Sequence, residues 1–401
     1  MPERRSLLYL CRRMPAVSLR YWRRHRLGLT YRRGRASGVR AVAPEPVDER
    51  IVEAGRTLRQ QVIDSHAGRH AASNYRVLML RPGSITAEIW FGDLQRCFGH
   101  VGVDCRQLPP ESTTAQINEA IERFHPNVFI AAETTEALRV LDLEHLRRHK
   151  QRHGCLRLFV PVWHSGAPGR HSTPELDAWR RQLRGRGLTA DAHFTIFEPE
   201  FHDRFSRDRQ GPDIECITVP QGCNPFTDFP VPATRQYDYF MATSMTDERV
   251  EVSYRYLRPI LGRYRGLWAG PRWGFGLERI APAEMPQRYA ESRIALSPLV
   301  GFVHEHGAEL THRIYATAAC GAFQLTMPTP VTRRFFAEHE LVCAATPEEY
   351  GRLFDHYVDR PDERNEIALA ALRRVYREHT CLHRADQLAA NWDRWRSKGL
   401  F

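Results

Sequence analysis

The stretch SRIALSPLVGFVHEHGAELTHRIYATAACGAFQLT, Ser292–Thr326, decides how the chain is read. An apolar run ends at Ser297, and a loop carrying Gly301 and Gly307 follows. A helix is expected over 309–320, Gly321 caps it, and a second apolar run occupies 322–326. Strand, loop, helix, glycine and strand form one βαβ unit, and such units stack into a parallel sheet covered by helices. The start of that helix also has chemistry. Amides of a first helical turn lack intrahelical partners and the helix dipole is positive there, so the region from Gly307 to Arg313 suits a diphosphate, with His312 and Arg313 adding donors.

The alternation continues on both sides of this unit. Upstream, strands are expected at 238–243 and 265–269, a helix at 247–262, a turn at Gly270 and Pro271, and a helix at 283–290. Downstream, helices are expected at 347–359, 361–378 and 383–397. An independent series occupies the first half: a helix over 48–72, strands from Tyr75, at GVDCRQL, at 127–132 and at 156–162, with helices at 86–99, 113–124 and 136–150 between them. A helix at 175–185 and short strands near 192–197 and 214–219 complete it. PQGCNPFTDFP, 220–230, is interrupted throughout by Pro and Gly and marks the domain boundary. The division expected is a basic extension and linker over 1–47, one α/β domain over 48–230 and a second over 231–401. A chain of 401 residues is long enough for two such cores.

The net charge of +11 lies at one end. Residues 1–40 hold twelve arginines against Glu3, and the rest of the chain is neutral. Three readings stay open for this tail. Its arginines and its Leu, Tyr and Trp residues suit an anionic membrane surface. A nucleic-acid contact lacks any accompanying motif and is not expected. A solvated extension is the third. No apolar run reaches the roughly 18 residues needed to span a bilayer, and the first residues do not read as an export signal. Nine cysteines without a C-x-x-C pair fit reduced thiols, so a cytoplasmic location is expected.

Several motifs together resemble a known group. THRIYATAACGAFQLT (311–326) is similar to the pattern asparagine-x-Arg-x-Phe-Glu-x-x-Ala-x-Gly followed by an apolar strand, found in glycosyltransferases of the spore-maturation-protein type, within group 1. FMATS followed by Arg249, GLWAG, RYAESRIALSP, TPEEY, DRPDERNEIA and REHTCLHRADQL resemble the flanking strands and helices of that group, over roughly 238–391. In the first half the likeness is confined to alternating architecture and to Gly222, Asn224, Phe229 and Pro230.

The resemblance implies a GT-B fold, two Rossmann-like domains facing across a cleft, with a nucleotide-sugar donor held by the C-terminal domain. The acceptor, a sugar or other hydroxyl compound, would be held by the N-terminal domain. It also implies that Arg249 and Arg313 face the donor diphosphate, that Gly270 and Ser297 let the protein backbone approach the nucleotide, and that Gly321 ends the helix. Gly307, Thr311 and His312 complete the expected donor set. One departure stands out: Ala316 occupies the position of the pattern's glutamate, a partner for the nucleotide ribose, with Glu305 and Glu309 the carboxylates nearest in sequence.

No Asp-x-Asp pair occurs, so no metal or other cofactor is expected, and arginine and helix dipole would stabilise the leaving diphosphate instead. The histidine sets His145, His149 and His153, His304 and His306, and His379 and His383 do not make the four closed ligands of a structural site and read as solvated helix faces. His164, just past a strand end in a Gly- and Pro-rich loop, is the candidate base for the acceptor hydroxyl, with His304 second. The function expected is metal-independent sugar transfer from a nucleoside diphosphate. The competing readings are a binding module that has lost catalysis and a nucleotide-sugar epimerase.

Overall fold

The computed structural model describes residues 16–36, 43–83, 85–132, 135–160, 185, 188, 190–196, 215–299 and 310–401. The first half runs α1 (Ala16–Ala36), β1 (Glu45–Pro46), α2 (Glu49–His66), β2 (Arg76–Leu80), α3 (Ile85–His100), β3 (Asp104–Leu108), α4 (Thr114–Phe124) and β4 (Val128–Ala132). It continues through α5 (Thr135–Val140), α6 (Leu143–His153), β5 (Leu156–Val160), β6 (Ala192–Thr195) and β7 (Glu215–Thr218). The second half runs β8 (Thr234–Arg235), β9 (Tyr237–Ala242), α7 (Asp247–Tyr256), α8 (Arg258–Leu261), β10 (Gly266–Ala269), α9 (Met285–Ala290) and β11 (Ser292–Ser297). After these come α10 (His312–Ala319), β12 (Gln324–Thr326), α11 (Thr332–Phe335), β13 (Val342–Cys343), α12 (Pro347–Tyr357), α13 (Pro361–Glu378) and α14 (Cys381–Ser397).

Two large sheets result, with strand orders β3-β2-β4-β5-β6-β7 and β10-β9-β11-β12-β13, each parallel throughout, beside a small two-stranded pair of β1 and β8. Strands covered on both faces read as continuous apolar runs, and β4 and β11 are buried at every residue. The chain divides into two compact units. The N-terminal unit comprises Arg59–Pro225, Gly307–Tyr315 and Tyr376–Phe401, and the C-terminal unit Met1–Leu58, Phe226–His306 and Ala316–Val375. Leu78, Ile117, Phe129, Leu146 and Phe159 lie in the core of the first. Phe240, Leu267, Tyr289, Ala295 and Ala322 lie in that of the second.

This division differs from the linear one read from the sequence, because each terminus belongs to the other half's unit. Helix α14 packs on α3 in the N-terminal unit, where Trp392 is buried with its ring 5.2 Å from Phe98 and 5.1 Å from Tyr75. The Tyr75 hydroxyl donates to Asp393 at 2.6 Å. Helix α1, expected as part of a basic extension, packs on α7 and α8 in the C-terminal unit. Leu27 and Tyr31 are buried there, the Trp268 amide donates to the Tyr31 hydroxyl at 3.1 Å, and Arg20 and Arg23 pair with Asp247 and Glu251. Apolar side chains of α1 are thus committed to the protein interior, while Tyr21 and Leu29 stay exposed.

The expected linker 41–47 also has structure. Glu45 and Pro46 pair antiparallel with β8, and Glu45 accepts hydrogen bonds from Arg364 at 2.7 Å and from Arg235. Arg364 has no exposed surface, and Arg293 joins the group through Asp238 at 3.3 Å. Burial alone would raise the Glu45 pKa, but the two arginines outweigh it and hold the carboxyl below its ordinary value. The helix expected over 136–150 is two, because Asp142 caps a new start by accepting the His145 amide at 2.9 Å. The helix expected over 247–262 breaks before Pro259, which has no amide proton to continue it. The helix expected at 175–185 lies outside the described residues apart from residue 185. Among the described residues no helix is long and apolar enough to cross a membrane.

Candidate functional site

In the C-terminal unit β9 lies between β10 and β11, so the chain leaves it toward opposite edges. Such a switch point opens a crevice beyond the carboxyl ends of the strands. Three expected residues gather at those ends. Ser297 ends β11 and is buried, its Oγ without a hydrogen-bond partner among the described residues, while the Thr326 hydroxyl holds its carbonyl at 2.8 Å. Arg249 lies in the first turn of α7, where Thr246 caps its amide at 3.3 Å. Its guanidinium donates back to the Ser244 carbonyl at 3.0 Å and is half-buried beside the end of β9.

Gly270 follows β10 with φ +133°, and a Cβ there would lie 1.9 Å from the Thr243 carbonyl oxygen. The close approach visible at this glycine is therefore to its own neighbouring strand. The Trp273 indole donates to the same carbonyl at 2.7 Å and fixes the turn further.

The remaining described members, Thr311, His312 and Arg313, begin α10 and fall in the N-terminal unit. All three are partly exposed. The His312 amide donates to Gln221 Oε1 at 2.7 Å and the Ile314 amide to the Thr311 carbonyl at 2.9 Å. Two first-turn amides that the sequence reading left open for an anion are thus engaged within the protein. The His312 ring lies 3.4 Å from Asp93, whose other oxygen accepts from Asn224 at 2.6 Å. Asp93 thus stands between the His312 ring and the Asn224 amide and fixes the ring's surroundings at the start of α10.

Asp93 and Gln221 were not singled out in the sequence. The available signal was Asp93 itself, an acid on α3 among Trp90, Phe91, Leu94 and Phe98, all buried. Gln221 sits beside Gly222 and Asn224 in the linker that carries the family likeness.

Ala316, one turn into α10, is buried. Gly321 ends that helix at φ +66°, against Ile51 and Pro230, where any Cβ would collide. His164, His304, His306, Gly307, Glu305 and Glu309 lie outside the described residues. Two histidine readings change: His149 and His379 are buried rather than solvated. Of the nine cysteines the eight described are free, and five of them are buried.

Residues 253–390 match the family described as glycosyl transferase-like. No curated protein matches the chain. Among solved structures, it is similar to sucrose-phosphate synthase of Thermosynechococcus elongatus, with TM-score 0.56, 9% identity, and 81% of this chain and 100% of the other covered. A glycosyltransferase of Rickettsia africae gives TM-score 0.57 at 9% identity, over 80% of this chain and 98% of the other. HepE of Anabaena, solved in complex with UDP and glucose, gives 0.57 at 9% identity, over 80% and 100%. The fold is GT-B, and the segment matched by the glycosyl transferase-like family begins within α7 and ends within α14.

Proposed function

From a GT-B fold whose residues 253–390 are glycosyl transferase-like, we propose that this protein transfers a sugar from a nucleoside diphosphate donor to a hydroxyl acceptor without a metal. The observation that carries the reading is where the match falls: it covers Gly270 and Ser297 at the carboxyl ends of β10 and β11 together with Thr311, His312 and Arg313 at the start of α10. Departure of a diphosphate leaves negative charge on the β-phosphate, and catalysis requires that charge to be met more strongly in the transition state than in the bound donor. Arg313 and the positive end of α10 supply it in this reading. UDP-glucose is the first donor to try, because HepE was solved with UDP and glucose.

The acceptor hydroxyl must lose a proton in an inverting transfer, and His164 is proposed for that step. On α1, Arg26, Arg32, Tyr21 and Leu29 are exposed, which suits a protein working at an anionic membrane face in the cytoplasm. Co-sedimentation with phosphatidylglycerol vesicles, lost at high salt, is the expected result for that part.

Ala316 favours a second reading, a module that binds nucleotide without turnover. A panel of nucleotide sugars, each incubated with mixed acceptors and with or without EDTA, separates the two. Release of free nucleotide undiminished by EDTA supports metal-independent transfer. Tight binding with no release from any donor supports the module.

A further inference from the structure

His125, His149 and His153 each offer a ligand nitrogen, and the three nitrogens lie within 4.8 Å of one another in the N-terminal unit. Sequence spacing groups His149 and His153 with His145, but the fold replaces His145: its ring lies 3.1 Å from Glu122, and His125 takes the third place. We propose that His125, His149 and His153 bind a zinc ion or a similar divalent transition metal, with solvent in the fourth position.

Four observations converge on this site. His149 is 3% exposed, and its Nε2 lies 2.9 Å from the Pro126 carbonyl. A carbonyl only accepts, so Nε2 carries the proton and Nδ1 keeps its lone pair. That Nδ1 is buried without a hydrogen-bond partner among the described residues. A histidine whose second nitrogen is fixed by a backbone carbonyl is the usual form of a metal-bound imidazole.

Second, the ring centres are 4.9, 5.0 and 6.2 Å apart. Three imidazoles around a tetrahedral metal, at bonds of about 2.0 Å, have centres spaced about 5 Å. Small side-chain rotations of His125 and His153, both exposed, bring the nitrogens into bonding range.

Third, His125 is the C-cap of α4 and His153 the last residue of α6. Both helices thus direct their negative ends toward the cluster, which favours a cation. Fourth, an all-imidazole set selects zinc, copper or nickel over magnesium and calcium, which prefer oxygen. Such an ion would clasp the ends of α4 and α6, and nothing in this inference depends on the transferase reading.

The test is a titration of untagged full-length protein, stripped with a chelator, with Zn²⁺ and in parallel with Mg²⁺. One zinc per chain, a raised unfolding temperature and no response to Mg²⁺ are expected. His125→Asn, which tolerates the left-handed backbone at that position, and His153→Gln should each weaken zinc binding by at least the roughly 10- to 100-fold that loss of an outer-shell partner costs. His145→Gln should leave it unchanged. Absence of zinc binding, or zinc held undiminished by the doubly substituted His125→Asn, His153→Gln protein, overturns the proposal. So does a site that His145→Gln abolishes while His125→Asn spares it.

Discussion

The two units share a strand order, counted within each as second, first, third, fourth, fifth, yet bury different polar chemistry. In the C-terminal unit the buried polar centre is ionic: Glu45, Arg235, Asp238, Arg293 and Arg364. The N-terminal unit adds imidazoles, with His66, His149, His193 and His379 buried and His383 beside His66, to a buried Arg157–Asp191 pair. Equivalent sheets therefore answer differently to acid. Glu45, its pKa lowered by its arginines, keeps its charge into the carboxylate range, whereas His66, His149 and His383, their pKa values lowered by burial, oppose protonation.

Cutting the ionic centre should give the largest effect. Arg364→Met removes both hydrogen bonds to Glu45 and leaves that carboxylate with Arg235 and Arg293. Breaking one side of a buried pair typically costs about 3–5 kcal/mol, read as a lowered denaturant midpoint for the C-terminal unit. Glu45 has a depressed pKa, so its contribution is present above about pH 4.5 and lost as the pH falls through its folded value.

Acid sharpens the contrast from the other side. Burial, with His66 and Arg384 nearby, lowers the His383 pKa from 6.5 to about 4. Between those values the unfolded chain binds a proton that the folded protein does not, so stability falls as the pH drops from 6.5 to 4. The loss is up to roughly 3 kcal/mol at 1.36 kcal/mol per pH unit. Burial lowers His66 and His149 in the same direction. Hydrogen exchange at pH 7 and pH 5 should show protection lost first in the N-terminal unit, and His383→Gln should shrink that loss. Equal loss in both units would erase the distinction.

Much of this frame was legible beforehand, because parallel strands covered by helices declare themselves as short apolar runs between turn residues. VFIAA and SRIALS are buried end to end, as their composition requires. Partnerships set by distance along the chain were not legible. Nothing in EP at 45–46 shows that it will meet Thr234–Arg235, and the arginines of α1 gave no sign that two would pair with Asp247 and Glu251. The candidate site divides likewise. Arg249, Gly270, Ser297 and Arg313 came from motif position, while Asp93 and Gln221 became visible once α3 and the linker were folded against α10. The reading of α6 as a solvated histidine ladder holds at His153 and fails at His149, because helical spacing cannot say which face meets a neighbour.

Smaller effects probe the C-terminal unit locally. Gly270→Ala adds a Cβ at 1.9 Å from the Thr243 oxygen in a backbone region that side chains rarely adopt. A loss of about 1–3 kcal/mol is expected, with weakened donor binding if the β9–β11 crevice is the donor site. Tyr31→Phe deprives the buried Trp268 amide of its acceptor and should cost about 1–3 kcal/mol, toward the lower end if water reaches the gap. A C-terminal unit unchanged in stability by that substitution would show that α1 is not part of it in solution.

The central claim is that positive charge at the start of α10 meets a departing diphosphate. Its most direct measurement is the rate of UDP release from UDP-glucose by wild type and by Arg313→Ala, with unfolding temperature recorded for both. The expected result is release by wild type and a fall of about 100-fold or more in the variant at nearly unchanged unfolding temperature, the scale seen when one transition-state donor is removed. Equal rates in the two proteins would contradict the account.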